Sequence, residues 1–119
     1  MLAILLIAHG SRRDQANADL LWLADAVRER RAADLVEVAY LELVEPDIPA
    51  GLGRCAEAGA TEIRMIPYFL SMGRHVTEHL EEFRRDAEQR YPGVRVVLRD
   101  SLGPHEKLVE IVLDRIEEP

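Results

Sequence analysis

Cysteine and positive charge are both scarce in this chain, and each shortage excludes a class of protein. The 119 residues include one cysteine, Cys55, which cannot form an internal disulfide and fits a reducing cytoplasm. The 15 lysines and arginines are outnumbered by 22 aspartates and glutamates, which gives a formal charge of -7. A general nucleic-acid-binding protein is therefore not expected, and an acidic ligand would need a local cluster of arginines.

Membrane and nucleotide signals are also missing. The apolar run over residues 1–8 is too short to span a membrane and lacks the basic leader of a signal peptide. The sequence contains no glycine-rich phosphate loop. We therefore expect a cytoplasmic protein with no membrane partner and no organic cofactor.

Short apolar runs alternate with helical patterns along the whole chain. Apolar runs over residues 2–8, 35–43, 63–69 and 94–98 predict four strands, and apolar residues spaced three and four apart predict a helix after each. Strands that alternate with helices predict a four-stranded parallel sheet with helices on both faces. We expect one α/β domain over residues 1–119, a length that suits a single core.

Local signals predict where the helices begin. Ser11 to Asp14 have the spacing of a capping box, and Pro46 and Pro49 open a second helix that places Cys55 in the core. Gly103 and Pro104 predict the start of the last helix, with proline in the first helical position. The apolar face predicted for that helix consists of Leu108, Ile111, Val112 and Ile116.

Histidines and glutamates gather where the predicted strands end. His9 follows the first strand, Glu42 and Glu45 lie at the end of the second, and His75 lies at the helix start after the third. Ligands of parallel α/β sheets bind beyond the carboxyl ends of the strands, so these side chains are expected at one rim. Two neutral imidazoles and a carboxylate suit a borderline divalent metal such as cobalt, iron, nickel or zinc.

Each of these residues also has a purely structural interpretation. His9 can cap backbone groups, His105 can simply start the last helix, and the glutamates can be surface charges. His79 lies one helical turn after His75, where it can complete a metal-binding pair or face solvent. The residues alone leave these alternatives open.

Four segments of the chain, taken together, resemble one known family. The segments are Ala8-His9-Gly10-Ser11-Arg12-Arg13, Val38-Ala39-Tyr40-Leu41-Glu42-Leu43-Val44-Glu45-Pro46, Pro67-Tyr68-Phe69-Leu70-Ser71-Met72-Gly73-Arg74-His75-Val76 and Leu102-Gly103-Pro104-His105. Their order and spacing are similar to those of the small CbiX-type sirohydrochlorin chelatases of the class II chelatase superfamily. The resemblance covers essentially the whole chain.

The resemblance implies an activity and a set of site residues. It implies insertion of Co(II), Fe(II) or Ni(II) into sirohydrochlorin or a related acidic tetrapyrrole, toward cobalamin or sirohaem. It also implies that His9, His75 and Glu42 form the catalytic, metal-holding set. Because larger relatives carry two such domains around one cleft, the single domain is expected to form a homodimer with the cleft between the two copies.

The residues around the rim are expected to hold the macrocycle. Guanidinium groups pair well with carboxylates, and apolar side chains can cover the face of the ring or pack in the core. Met72 stands where many relatives have a smaller residue, which would narrow the pocket. The candidate substrate-binding residues are Ser11, Arg12, Arg13, Tyr68, Phe69, Leu70, Ser71, Gly73, Arg74 and His105.

Metal insertion also requires a proton acceptor, because the ring loses two pyrrole protons as it gains the metal. A histidine suits this role near neutral pH, but it cannot hold a metal and take a proton through the same lone pair. The competing hypothesis is a non-catalytic metal or tetrapyrrole carrier that uses the same histidines. A structural domain without a ligand is a third hypothesis, which leaves the clustering at the rim unexplained.

Overall fold

Four strands and four helices alternate strictly along the chain. The computed structural model describes residues 1–119. Its elements are β1 Leu2–Ala8, α1 Asp14–Arg30, β2 Leu35–Tyr40, α2 Ile48–Glu57, β3 Glu62–Pro67, α3 Arg74–Arg90, β4 Arg95–Leu98 and α4 Glu106–Glu117. All strands are parallel, in the order β2-β1-β3-β4. The predicted α/β class and four-stranded parallel sheet are confirmed.

Two apolar layers cover opposite faces of this sheet. Ala3, Leu5 and Ile7 of β1 point toward α2 and α3, and all three are fully buried. Leu6 points the other way, into a smaller layer shared with Leu20 of α1. Because β1 is paired on both sides and covered on both faces, it is apolar throughout and mostly buried, as the continuous run over residues 2–8 predicts.

Two of the predicted helix starts are wrong in detail. The helix α1 begins at Asp14, and its N-cap residue, Arg13, makes no capping bond through its side chain. The Ser11 hydroxyl accepts a bond from the Arg13 N–H at 3.0 Å, so it closes a turn before the helix. The capping-box spacing failed because the Asn17 side chain bonds both the N–H and the carbonyl of Ser11, at 3.0 and 2.8 Å.

The start of α4 is displaced in the same way. His105 is the N-cap residue, and its Nδ1 accepts a hydrogen bond from the Lys107 N–H at 3.0 Å. Pro104 therefore precedes the helix and does not occupy its first turn. The strand β2 is also shorter than predicted, because the chain turns after Tyr40 and Leu43 adopts a positive φ of 68°.

The helix α4 stands apart from the rest of the molecule. It contacts no other helix or strand, and none of its residues is buried. The predicted apolar face is present but uncovered, with Ile111 48% and Ile116 67% exposed. The molecule is accordingly elongated, measuring 52 × 33 × 28 Å. None of the four helices combines the length and apolar character that crossing a membrane requires.

Cys55 lies fully buried on α2, as predicted, and this burial should suppress its reactivity. Burial, with a contribution from the charge of Glu37, raises the pKa of the thiol from the ordinary 9.0 to about 12. Because only the thiolate attacks, we expect the folded chain to react with a maleimide about 1,000-fold more slowly than the urea-unfolded chain at the same mildly alkaline pH. Equal rates in the two states would contradict the burial.

Since the folded pKa is the higher one, the fold should also lose stability as the pH rises above 9.0 toward 12.

Candidate functional site

The carboxyl ends of β1 and β2 place His9 beside Glu42. The backbone N–H groups of Leu41 and Glu42 donate to the carbonyls of Ala8 and His9, at 3.0 and 3.1 Å. These bonds continue the pairing of the two strands past the end of β2. As a result, Nε2 of His9 lies 3.1 Å from Oε1 of Glu42, while both side chains stay more than half exposed to a ligand.

The turn after β1 requires glycine for two separate reasons. Gly10 has a φ of +94°, a conformation that residues with a Cβ rarely adopt. A Cβ on Gly10 would also lie only 1.9 Å from the carbonyl oxygen of Glu42. The absence of a side chain at residue 10 therefore lets the backbone carrying Glu42 approach the backbone carrying His9.

An open cavity of about 220 Å³ joins this pair to the start of α3. Its lining residues are His9, Leu41, Glu42, His75, Val76 and His79. His75 is the second residue of α3, and His79 follows one turn later with its ring packed on Phe83 at a centroid distance of 4.6 Å. The structure thus brings together the three residues predicted to hold a metal and adds a third imidazole.

The donor set at this cavity is open and incomplete. No three histidine, cysteine, aspartate or glutamate side chains converge closely enough to form a preformed metal site. The Nε2–Oε1 contact of His9 and Glu42 involves the two atoms that could hold a cation together. Because a ligand nitrogen must be unprotonated to bind a metal, His9 could bind a cation beside Glu42 only with Nε2 unprotonated. Open positions suit a metal that is passed on.

The loop after β3 lies against β1 and contacts the ring of His9. The Tyr68 N–H donates to the carbonyl of Ile7 at 2.7 Å, which fixes the loop against β1. The ring of Phe69 meets His9 edge to face, with centroids 6.2 Å apart. Tyr68, Phe69 and Met72 also pack against the two core layers, so core packing is at least part of their role, and Met72 does not line the cavity.

Comparison with known proteins places the chain in a family. The CbiX family model matches residues 3–119. This chain belongs to the CbiX family. The resemblance predicted from the four segments is therefore confirmed.

Similar proteins of this family fall into two size classes. The chain is 33% identical to the chloroplastic sirohydrochlorin ferrochelatase of Arabidopsis thaliana over 96% of its own length and 51% of that protein. It superposes on the sirohydrochlorin chelatase SirB of Bacillus subtilis subspecies spizizenii, a structure in complex with cobalt, with a TM-score of 0.89 and 31% identity. That superposition covers 98% of this chain and 50% of SirB. A sirohydrochlorin cobaltochelatase of Methanocaldococcus jannaschii is 29% identical over 97% of both chains.

The CbiX chain thus spans about half the length of the first two relatives and nearly all of the third. The compared SirB chain continues for as many residues again beyond the aligned part.

Three arginines of this CbiX chain that are predicted to bind the substrate lie near the cavity. They differ in whether they take part in an ion pair. Arg12 and Arg13 follow His9 closely, are exposed, and take part in no ion pair. Arg74 adjoins His75, is 87% exposed, and its Nε lies 3.1 Å from Oε1 of Glu78. Surface pairs of this kind are weak, so all three guanidinium groups remain available to an anionic ligand.

The remaining candidate substrate-binding residues of this CbiX chain differ in exposure and in the local bonds that they make. Leu70 is 68% exposed, Ser71 is exposed, and Gly73 is the N-cap residue of α3. Ser11 uses its hydroxyl within the turn before α1. His105 does not line the cavity of His9, because it caps α4. Its predicted contact with a substrate stays a prediction.

Two residues of this CbiX chain contribute more to the cavity and its flanking turn than the sequence predicted. His79 lines the cavity, although the sequence favoured a solvent-facing position for it. Asn17 fixes the turn that carries Ser11 and the arginines. No signal in the sequence identified Asn17, because an amide side chain in the first turn of a helix has no preferred tertiary partner.

Proposed function

We propose that this CbiX-family chain inserts a divalent transition metal, Co(II), Fe(II) or Ni(II), into sirohydrochlorin or a closely related acidic tetrapyrrole. The observation that carries the proposal is the convergence of His9, Glu42 and His75 on one open cavity at the carboxyl ends of the strands. The names of its relatives, which include ferrochelatases and cobaltochelatases, support the same reaction class.

The open donor set suits transfer of a metal better than storage. His9, Glu42 and His75 would present the cation from one face of the ring, with coordination positions left free for the pyrrole nitrogens. These ligands are exposed and reached from solvent, so release to a competing macrocycle needs no unfolding. A buried, complete cage would instead retain its metal.

A proton acceptor can be separate from the metal ligands in this cavity. Insertion releases two pyrrole protons, and an imidazole that binds the cation through its lone pair cannot take them up. His79 lies in the same cavity, one turn beyond His75. We assign the proton-accepting role to His79, with Glu42 as the alternative acceptor if it does not bind the metal.

The carboxylates of the substrate would meet the exposed arginines. Arg12 and Arg13 lie in the turn after β1 and Arg74 is the first residue of α3, while Leu70 and Phe69 offer apolar surface for the face of the ring. One domain supplies only one wall of a cleft. We therefore propose a cytoplasmic homodimer in which a second copy supplies the other wall, as the double length of some relatives suggests.

A multiple-turnover assay tests this function. The purified chain is mixed with excess sirohydrochlorin and Co(II), or with Fe(II) under anaerobic conditions, and the absorption spectrum of the ring is followed. We expect metallated product well in excess of the protein, formed at least about 100-fold faster than in protein-free controls. Product equal to the protein, at the uncatalysed rate, would contradict catalysis and favour a carrier.

A further inference from the structure

Asn17 of α1 binds the turn after β1 through both its side chain and its backbone. Its Oδ1 accepts a hydrogen bond from the Ser11 N–H at 3.0 Å, and its Nδ2 donates to the Ser11 carbonyl at 2.8 Å. Its backbone N–H lies 3.4 Å from the carbonyl oxygen of Arg13, to which it donates. The two residues that flank Arg12 in the chain are therefore both bonded to Asn17.

The helix α1 does not itself need an asparagine at this position. Asn17 is the fourth residue of α1, and its side chain bonds a residue six positions earlier, outside the helix. Alanine is a better helix former, because the asparagine side chain competes with the helical backbone for hydrogen bonds. The amide of Asn17 thus serves the turn and not the helix.

Asn17 is in turn supported by the sheet. Tyr40 is the last residue of β2 and only 3% exposed, and its hydroxyl donates to the Asn17 carbonyl at 3.1 Å. Glu42 follows Tyr40 by two residues. The turn that carries the arginines and the loop that carries Glu42 are therefore fixed to the same point of the fold.

The other hydrogen bonds of the turn are local. The Ser11 hydroxyl accepts from the Arg13 N–H at 3.0 Å, and the Arg13 carbonyl accepts from the Ala16 N–H at 3.1 Å. Neither bond connects the turn to the sheet, whereas Asn17 does so through Tyr40. The side chains of Arg12 and Arg13 are exposed and take part in no ion pair, so the backbone alone determines where they emerge.

We propose that Asn17 is a positioning residue that raises the affinity for the tetrapyrrole by holding Arg12 and Arg13 where their guanidinium groups meet its carboxylates. This role rests on the proposed function, which places an acidic ring over the cavity of His9. A guanidinium group pairs with a carboxylate in a defined geometry. Ordering a flexible turn at the moment of binding would subtract from the affinity, and a turn that is already ordered avoids that loss.

Binding of a metal-free porphyrin tests this role without any turnover. The probe is uroporphyrin, a stable polycarboxylate porphyrin, and its Kd is measured by the quenching of its fluorescence. Asn17→Ala should raise the Kd at least about fivefold, since it weakens two exposed ion pairs. Gln15→Ala is the matched control, because it removes an exposed amide from the same turn of α1. It should bind uroporphyrin as the wild type does.

A double-mutant cycle separates positioning from a purely structural role. In a chain that carries both Arg12→Ala and Arg13→Ala, Asn17→Ala should change the Kd by less than about twofold, because the groups that it holds are gone. In the insertion assay, Asn17→Ala should raise KM and keep kcat within about twofold of the wild type. A purely structural role would lower the active fraction, and hence kcat, without changing the Kd.

The outcomes distinguish this role from the proposed function. Wild-type affinity for uroporphyrin in Asn17→Ala would overturn the role alone, and so would an equal loss of affinity with and without the two arginines. If Asn17→Ala does not fold, Asn17→Gln is judged by the same criteria, since its longer side chain cannot bond both groups of Ser11 in place. A wild-type chain that binds uroporphyrin but inserts no metal would overturn the proposed function and leave the role standing. A wild-type chain that does not bind uroporphyrin would overturn both.

Discussion

Replacing either His9 or His75 by alanine is expected to lower the kcat/KM for metal insertion by at least about 100-fold, the effect typical of removing a group that acts on the reacting atoms. His9 pairs with Glu42 at 3.1 Å, and His75 faces the same cavity. Both side chains are exposed and lie outside the two core layers. The midpoint of urea unfolding should therefore stay close to that of the wild type.

Glu45→Ala is the control for this pair of variants. Glu45 is an exposed carboxylate three residues from Glu42, and it accepts a local bond from the Asp47 N–H at 3.3 Å. It should keep nearly full activity, whereas Glu42→Ala should lose activity together with His9→Ala. Turnover like that of the wild type in His9→Ala or His75→Ala would remove that histidine from the mechanism.

The position of His9 was predictable because it depends on local and general rules alone. A continuous apolar run over residues 2–8 has few alternatives to a central strand. The residue after such a strand lies at the carboxyl edge of the sheet, where parallel α/β sheets bind their ligands. The structure ends β1 at Ala8 and places His9 at that edge.

The position of α4 was not predictable from the same kind of pattern. Apolar residues at helical spacing show that one face is to be buried, but they do not show against what. The spacing of Leu108, Ile111, Val112 and Ile116 predicted the helix correctly. It carried no information on the turn at residues 101–103, whose backbone bonds to Phe69 and Leu70 direct α4 away from the sheet.

The start of α1 shows how a local signal loses to a tertiary contact. The capping-box spacing from Ser11 to Asp14 describes bonds within one turn. In the folded chain, the side chain of Asn17 takes both backbone groups of Ser11, so the helix begins at Asp14. For a related reason, the sequence did not show whether His75 and His79 both face the cavity. The rotation of α3 about its axis depends on how Leu80 and Phe83 pack in the core.

Gly10→Ala is expected to damage both the stability and the site. The new Cβ would lie 1.9 Å from the Glu42 carbonyl oxygen, and the φ of +94° is itself unfavourable for alanine. Strained dihedrals and forced overlap each cost about 1–3 kcal/mol, so we expect the free energy of unfolding to fall by at least about 2 kcal/mol. Relief of the overlap must move Glu42 away from His9, so kcat/KM should fall as far as it does in Glu42→Ala.

Gly59→Ala separates the cost of the unfavourable dihedral from the cost of the overlap with Glu42. Gly59 also has a positive φ, at +99°, but no atom lies within 4 Å of an added Cβ. It carries only the dihedral cost, about 1–2 kcal/mol, and lies far from the rim, in the turn after α2. Urea unfolding of both variants at one protein concentration, with insertion kinetics in parallel, gives the difference. Gly10→Ala should be the less stable of the two and the only inactive one. Equal stability and equal activity would mean that the backbones of Gly10 and Glu42 do not approach each other, and the His9–Glu42 pair would then lose its structural basis.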